Sequence, residues 1–250
     1  MSMAEIHPQE GYRWSVDEAG TLAIDKADGG DGRIRLEPIW EEYRRFDPMT
    51  DGYETGHGIV GYRQPWFESR NEILRVRVGD GITEIPNEAF ESMINLQTVS
   101  LPAGLRSIGN RAFLGCTSLT DITLPEGLEI IWSQAFYSCK SLTNVALPDG
   151  LRSIGDEAFA FCDRLTRLCV PASVTIIGES ALEHKALHEL VLPIAFKDNP
   201  KIFRHTFPSH PEPNPRLRIR YVKPPKAPNP GKDGDKPAKS LFARLFGKGQ

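Results

Sequence analysis

Three cysteines recur at one interval: Cys116, Cys139 and Cys162 each lie 23 residues from the next. A metal site needs closely spaced thiols, such as a C-x-x-C pair, and this chain has none. A disulfide between two of the three would leave the third unpaired. Met93 stands one interval earlier in the same column, and as an apolar substitute it marks the column as buried. The three are therefore read as reduced core thiols. Cys169 falls on the other face of its strand and is expected to be the exposed thiol. The run "DKADGGDG", Asp25 to Gly32, offers three carboxylates among glycines, but its spacing misses the calcium-loop pattern and fits turns. The six histidines show no ligand-like spacing. No Ser or Cys sits in a nucleophile elbow, and no glycine-rich phosphate loop precedes a helix. No catalytic residue, metal or cofactor is assigned on these grounds.

What repeats is more than the thiol. "LPAGLRSIGNRAFLGCTSLTDIT" from Leu101 returns as "LPEGLEIIWSQAFYSCKSLTNVA" from Leu124 and "LPDGLRSIGDEAFAFCDRLTRLC" from Leu147. Five units begin at Val78, Leu101, Leu124, Leu147 and Val170. Their columns read Ile85, Ile108, Ile131, Ile154, Ile177; then Phe90, Phe113, Phe136, Phe159, Leu182. The alternating apolar positions of "LTDITL" predict a short strand with one buried face, and Pro125 with Gly127 ends it in a turn. The "AFxxC" portion predicts a helical turn or short helix. One such unit cannot bury enough apolar surface to hold itself, so neighbours must stack. The expected fold is a repeat solenoid of β-strand plus short helix or turn coils, with a β-rich N-terminal cap.

The repeated "LPxGLxxIGxxAFxxCxxLxxI" resembles the BspA-like, bacterial surface antigen type of leucine-rich repeat. "YRWSVDEAGTLAID", "QPWFESRNEILRVRV" and "LRIRYVKP" resemble that family's entry and closing segments, so the likeness spans about residues 12–222. It implies a binding role and carries over no catalytic residue. Family members are often displayed on the cell surface.

Organisation follows. Residues 1–77 form the capping region, hairpin-rich except for an irregular 37–64. Residues 78–191 hold the five coils, and 192–222 a degenerate last coil and C-terminal cap. Residues 223–250 are a Pro/Lys-rich disordered linker with a short basic amphipathic end. No apolar run is long enough to span a bilayer. The start "MSMAEIHPQEGYRW" lacks a basic segment followed by an apolar core, which predicts a cytoplasmic protein. The net charge of −3 is unevenly spread: Arg216–Gln250 holds ten Lys/Arg and two Asp, or +8, leaving 20 basic against 31 acidic, or −11, in residues 1–215. An acidic body argues against nucleic acid as its partner.

Variable strand positions line one continuous face of a solenoid. They include Arg75, Arg77, Asp121, Asn144, Arg167 and Glu189, a mixed polar row that is either solvated or a contact surface for a protein partner. Trp132 replaces the glycine of Gly109, Gly155 and Gly178; with Tyr137 and Phe161 it forms a candidate aromatic patch, or it packs against the next coil. In the tail, Leu241, Phe242, Leu245 and Phe246 gather on one side of a helix with Arg244 off that side, a candidate contact for membrane or protein. The leading expectation is a monomeric, non-enzymatic interaction scaffold. A tail-tethered peripheral membrane or effector protein, and an enzyme with its site in the caps, are the alternatives.

Overall fold

The computed structural model describes residues 7–9, 12–31, 33–34, 37–47, 52–182, 186–197 and 217–223. The tail candidates Leu241, Phe242, Arg244, Leu245 and Phe246 lie outside them, so nothing structural bears on the membrane alternative. No helix among the described residues is long and apolar enough to cross a membrane.

Three antiparallel strands open the chain: β1 (His7–Gln9), β2 (Tyr12–Val16) and β3 (Thr21–Lys26). Next come β4 (Glu37–Asp47) and β5 (Gly52–Arg63), an antiparallel pair with a register shift at Ile39/Trp40. This corrects the expectation of an irregular 37–64. Trp40, Tyr43 and Phe46 are spaced by three, which hides the strand period of two.

Each coil then supplies two strands. The longer ones are β6 (Arg75–Val78), β8 (Thr98–Ser100), β10 (Asp121–Thr123), β12 (Asn144–Ala146), β14 (Arg167–Cys169) and β16 (Glu189–Pro193), closed by β17 (Arg218–Val222). They pair in parallel at the repeat interval, Asp121 beside Asn144 and Arg167 beside Glu189. The order β1-β2-β3-β6-β8-β10-β12 makes one sheet and β14-β16-β17 continues beside it as a separate one. The cap is thus an integral part of the first sheet, because β3 pairs in parallel with β6.

A second column of two-residue strands, absent from the sequence reading, runs behind: β7 (Glu84–Ile85), β9 (Ser107–Ile108), β11 (Ile130–Ile131), β13 (Ser153–Ile154) and β15 (Ile176–Ile177). Between the two sheets the repeated Ile and Phe columns are buried, with Ile177 only partly so, and so are the columns of Ala89, Ala112, Ala135, Ala158 and Ala181 and of Leu96, Leu119, Leu142, Leu165 and Leu187.

The "AFxxC" segment takes the turn form and not the helix. Alternate backbone N–H groups reach the next coil while those between them close turns in their own: Phe90 N donates to Ala112 O, Phe113 N to Ala135 O and Phe136 N to Ala158 O, each at 2.8 Å, and Leu114 N donates to Arg111 O. This lateral ladder needs left-handed backbone at a repeated position, filled by Glu88, Arg111, Gln134, Glu157 and Ser180 at φ between 52° and 60°. None of these is glycine, so no sequence signal announces the conformation.

Because every N–H of the ladder points one way, its first coil is left with outward carbonyls. The cap meets them: Trp66 Nε1 donates to Ala89 O at 3.0 Å, and Gln64 Nε2 donates to Glu88 O. The Trp66 ring, 1% exposed, also begins the aromatic stack, lying 5.7 Å from Phe90. Phe90, Phe113, Phe136 and Phe159 follow at 5.1–5.2 Å. The Trp66 indole thus serves both the hydrogen-bond ladder, with Gln64 beside it, and the stack, where Trp14 meets it edge-on at 6.1 Å.

Candidate binding surface

The thiol column sits in the core. Cys116, Cys139 and Cys162 are free, fully buried, and donate S–H to Phe90 O, Phe113 O and Phe136 O at 3.1, 3.2 and 3.3 Å. Burial pushes the Cys116 and Cys162 thiols up to about 12, and Cys139 well above its ordinary value. These thiols are poor nucleophiles and satisfied donors.

Cys169 corrects an expectation. It does alternate to the outer face of β14, yet it is 1% exposed, and its strand neighbour Val191 is fully buried. Burial raises its thiol to about 12 as well. Strand alternation gives the side a residue takes, but not whether that side is covered.

Elsewhere the outer face of the parallel strands is open. Arg75, Arg77, Thr98, Ser100, Asp121, Thr123, Asn144 and Arg167 are exposed, and Glu189 is half-buried. Their register makes two rows across the coils, mostly of small polar side chains between arginines at both ends. The cations are partnered: Arg77 grips Asp25 through two 2.9 Å hydrogen bonds, and Arg75 Nη1 donates to Ala19 O. Glu189 lies between Arg167 and Arg220 at 3.7 and 3.3 Å. The Arg77 guanidinium holds the Asp25 carboxyl below the usual carboxylate range, chiefly by hydrogen bonding. Such exposed pairs add little to stability, at about 0–1 kcal/mol each, but they fix where charge is displayed.

The aromatic candidates divide. Tyr137 and Phe161 meet at 5.1 Å in a tilted pair, while no ring contact among the described residues joins Trp132 to them. Trp132 is 46% exposed and Phe161 47% exposed. A side chain in place of Gly155 would meet Trp132 and Ser133 backbone, its Cβ only 2.4 Å from Ser133 N. The column's glycine thus lets one coil lie on the backbone of the last, and Trp132 is displayed outside that seam. Phe161 takes φ 57°, left-handed backbone that a bulky side chain adopts at a cost. The mark of this position in the sequence is Gly115, two coils earlier in the same column and itself at φ 72°.

No group of three or more His, Cys, Asp or Glu placed to hold a metal occurs among the described residues. The surface displays polar rows, paired charges, the exposed Trp132 and the Tyr137–Phe161 pair, a chemistry of contact.

Such a surface on stacked parallel coils is that of a leucine-rich-repeat solenoid. A family model described as the BspA type leucine-rich repeat region matches residues 83–209 in six copies. The chain belongs to this BspA-type leucine-rich repeat family. The match runs past Val191, where the five units read from the sequence end. Among solved structures, a leucine-rich repeat protein of T. pallidum is 22% identical with TM-score 0.51, the match covering 88% of this chain and 83% of that one. A leucine-rich repeat protein of Eubacterium ventriosum is 21% identical with TM-score 0.54, covering 76% of this chain and 44% of that one. Both likenesses concern the fold. No curated protein shows significant sequence similarity to the chain.

Proposed function

We propose that this chain is a non-enzymatic scaffold that binds a protein partner on the outer face of its parallel sheet. Membership of a leucine-rich repeat family supports an interaction role in general terms. The observation that carries the reading is the in-register row Arg75, Thr98, Asp121 and Asn144, exposed polar side chains on successive coils, with Arg167 exposed on the first strand of the neighbouring sheet. Rigid backbone pairing fixes those side chains before a partner arrives, which lowers the ordering cost of binding. Displayed aromatics such as Phe161 and Trp132 are of the type that dominates contact energies.

The test is affinity capture from the native organism with the full chain, Arg167→Glu and Trp132→Ala, each checked for native circular dichroism. A stoichiometric protein complex weakened at least about tenfold by Arg167→Glu supports the sheet face, since a reversed charge inside an interface costs several kcal/mol. A complex untouched by Arg167→Glu and lost with Trp132→Ala moves the contact to the turn side. Turnover of a substrate without any stable complex overturns the scaffold reading.

A further inference from the structure

A polar cleft of about 720 Å³ opens where the N-terminal cap meets the first coils, lined by Arg13, Lys26, Arg77, Asp25, Asp80 and the turn at Leu101–Ala103. Its charged groups are seated on backbone that lacks side chains. A Cβ on Gly79 would lie 2.1 Å from Asp25 Oδ1, and one on Gly81, at φ +83°, would lie 2.8 Å from the Lys26 Cδ. Gly79 N donates to Ile24 O at 2.7 Å, which draws the turn onto the end of β3. The Gly79-Asp80-Gly81 turn is therefore the bed on which Asp25 and Lys26 rest.

Asp25 and Arg77 occupy each other through their bidentate pair. Arg13 stands directly opposite Asp25 across the β2–β3 pairing, and Lys26 follows Asp25 in the chain. Three cations against two carboxylates leave the lining at +1, with Asp80 the acid outside the pair. That surplus is local, because residues 1–215 together carry −11. One surplus positive charge matches a singly charged carboxylate better than a phosphate dianion. Arg77 and Ser100 belong to both the cleft and the strand face, so a segment crossing that face can continue into the cleft.

We infer that this cleft receives a carboxylate side chain from an acidic peptide segment of the protein partner, an assignment that rests on the scaffold reading above. Lys26 and Arg13 supply the charge, and Arg77, held by Asp25, forms the wall toward the strand face.

The probe is fluorescein-labelled hexaglutamate, followed by fluorescence anisotropy at low salt with the full chain. The variants are Lys26→Glu, Arg13→Glu and the milder Lys26→Gln. Arg152→Glu, on the opposite strand column, is the control for general charge. The expected result is saturable binding, weakened at least about tenfold by either reversal in the cleft and less than about twofold by Arg152→Glu, since each removes a short-range attraction or only a distant one. Lys26→Gln leaves all packing on Gly81 and should still weaken binding about threefold. The inference is overturned by no saturable binding, by equal losses in the control and cleft variants, or by an oligothymidylate of equal charge binding as tightly. Failure with hexaglutamate alongside capture of a stoichiometric protein partner removes the cleft and leaves the scaffold reading intact. Hexaglutamate binding without any captured partner keeps the cleft as a carboxylate site and overturns a partner's segment as its occupant.

Discussion

Replacing Trp66 tests how the solenoid is begun. The indole closes the first coil in two ways, by the Nε1–H bond to Ala89 O and by stacking on Phe90. Trp66→Phe keeps a ring for the stack and strands the buried carbonyl, which should cost about 1–3 kcal/mol. Trp66→Ala also removes an aromatic side chain that is 1% exposed. Truncations of that kind cost about 3–5 kcal/mol, so the sum is about 4–8 kcal/mol. Set against a typical stability of about 5–15 kcal/mol, the alanine variant should be close to unfolding. The assay is urea denaturation of the full chain, with hydrogen exchange at residues 88–92 to locate the loss. Exchange there should rise first, because a solenoid is held by nearest-neighbour interfaces and opens from an uncovered end. Equal midpoints for wild type and Trp66→Phe, with a loss below about 1 kcal/mol for Trp66→Ala, would refute the capping role.

The four thiols should all resist a thiol reagent in native protein at pH 8, Cys169 included, and react together on unfolding; rapid native labelling of any of them contradicts the burial. Burial raises all three column thiols in the folded state, so their contribution is complete below the unfolded value near pH 8.5 and is lost at higher pH, for Cys116 and Cys162 as pH rises toward about 12. The unfolding free energy from urea denaturation should hold to about pH 8.5 and then fall by about 1.4 kcal/mol per thiol per pH unit, less steeply in Cys139→Ala. Phe161→Asn should keep or raise thermal stability by up to about 1 kcal/mol, because Asn tolerates the left-handed backbone, while weakening partner capture. A large loss of stability in that variant would mean Phe161 is held by packing and not displayed.

The repeat made most of the architecture legible. Leu119, Ile122 and Leu124 give the strand and its buried side, and the Phe113–Phe136 interval gives the stacking. Three features escaped for physical reasons. A strand as short as Ile130–Ile131 has no room to show alternation, and left-handed positions such as Glu157 and Gln134 carry no glycine to betray them. Cys169 escaped because covering by other parts of the chain is not a periodic property. The candidate surface was half legible: the row Arg75, Asp121, Asn144, Arg167 follows from strand register. The cleft at Arg13 and Lys26 joins residues more than 50 positions from Arg77, a distance across which no local pattern speaks.

The central claim is that the outer strand face makes the contact. A photo-cross-linking amino acid placed at Thr123, in the middle of that face, and separately at Glu157, on the turn ladder, measures it directly. The account predicts covalent capture of one partner from Thr123 and none from Glu157. Capture from Glu157 alone would contradict it.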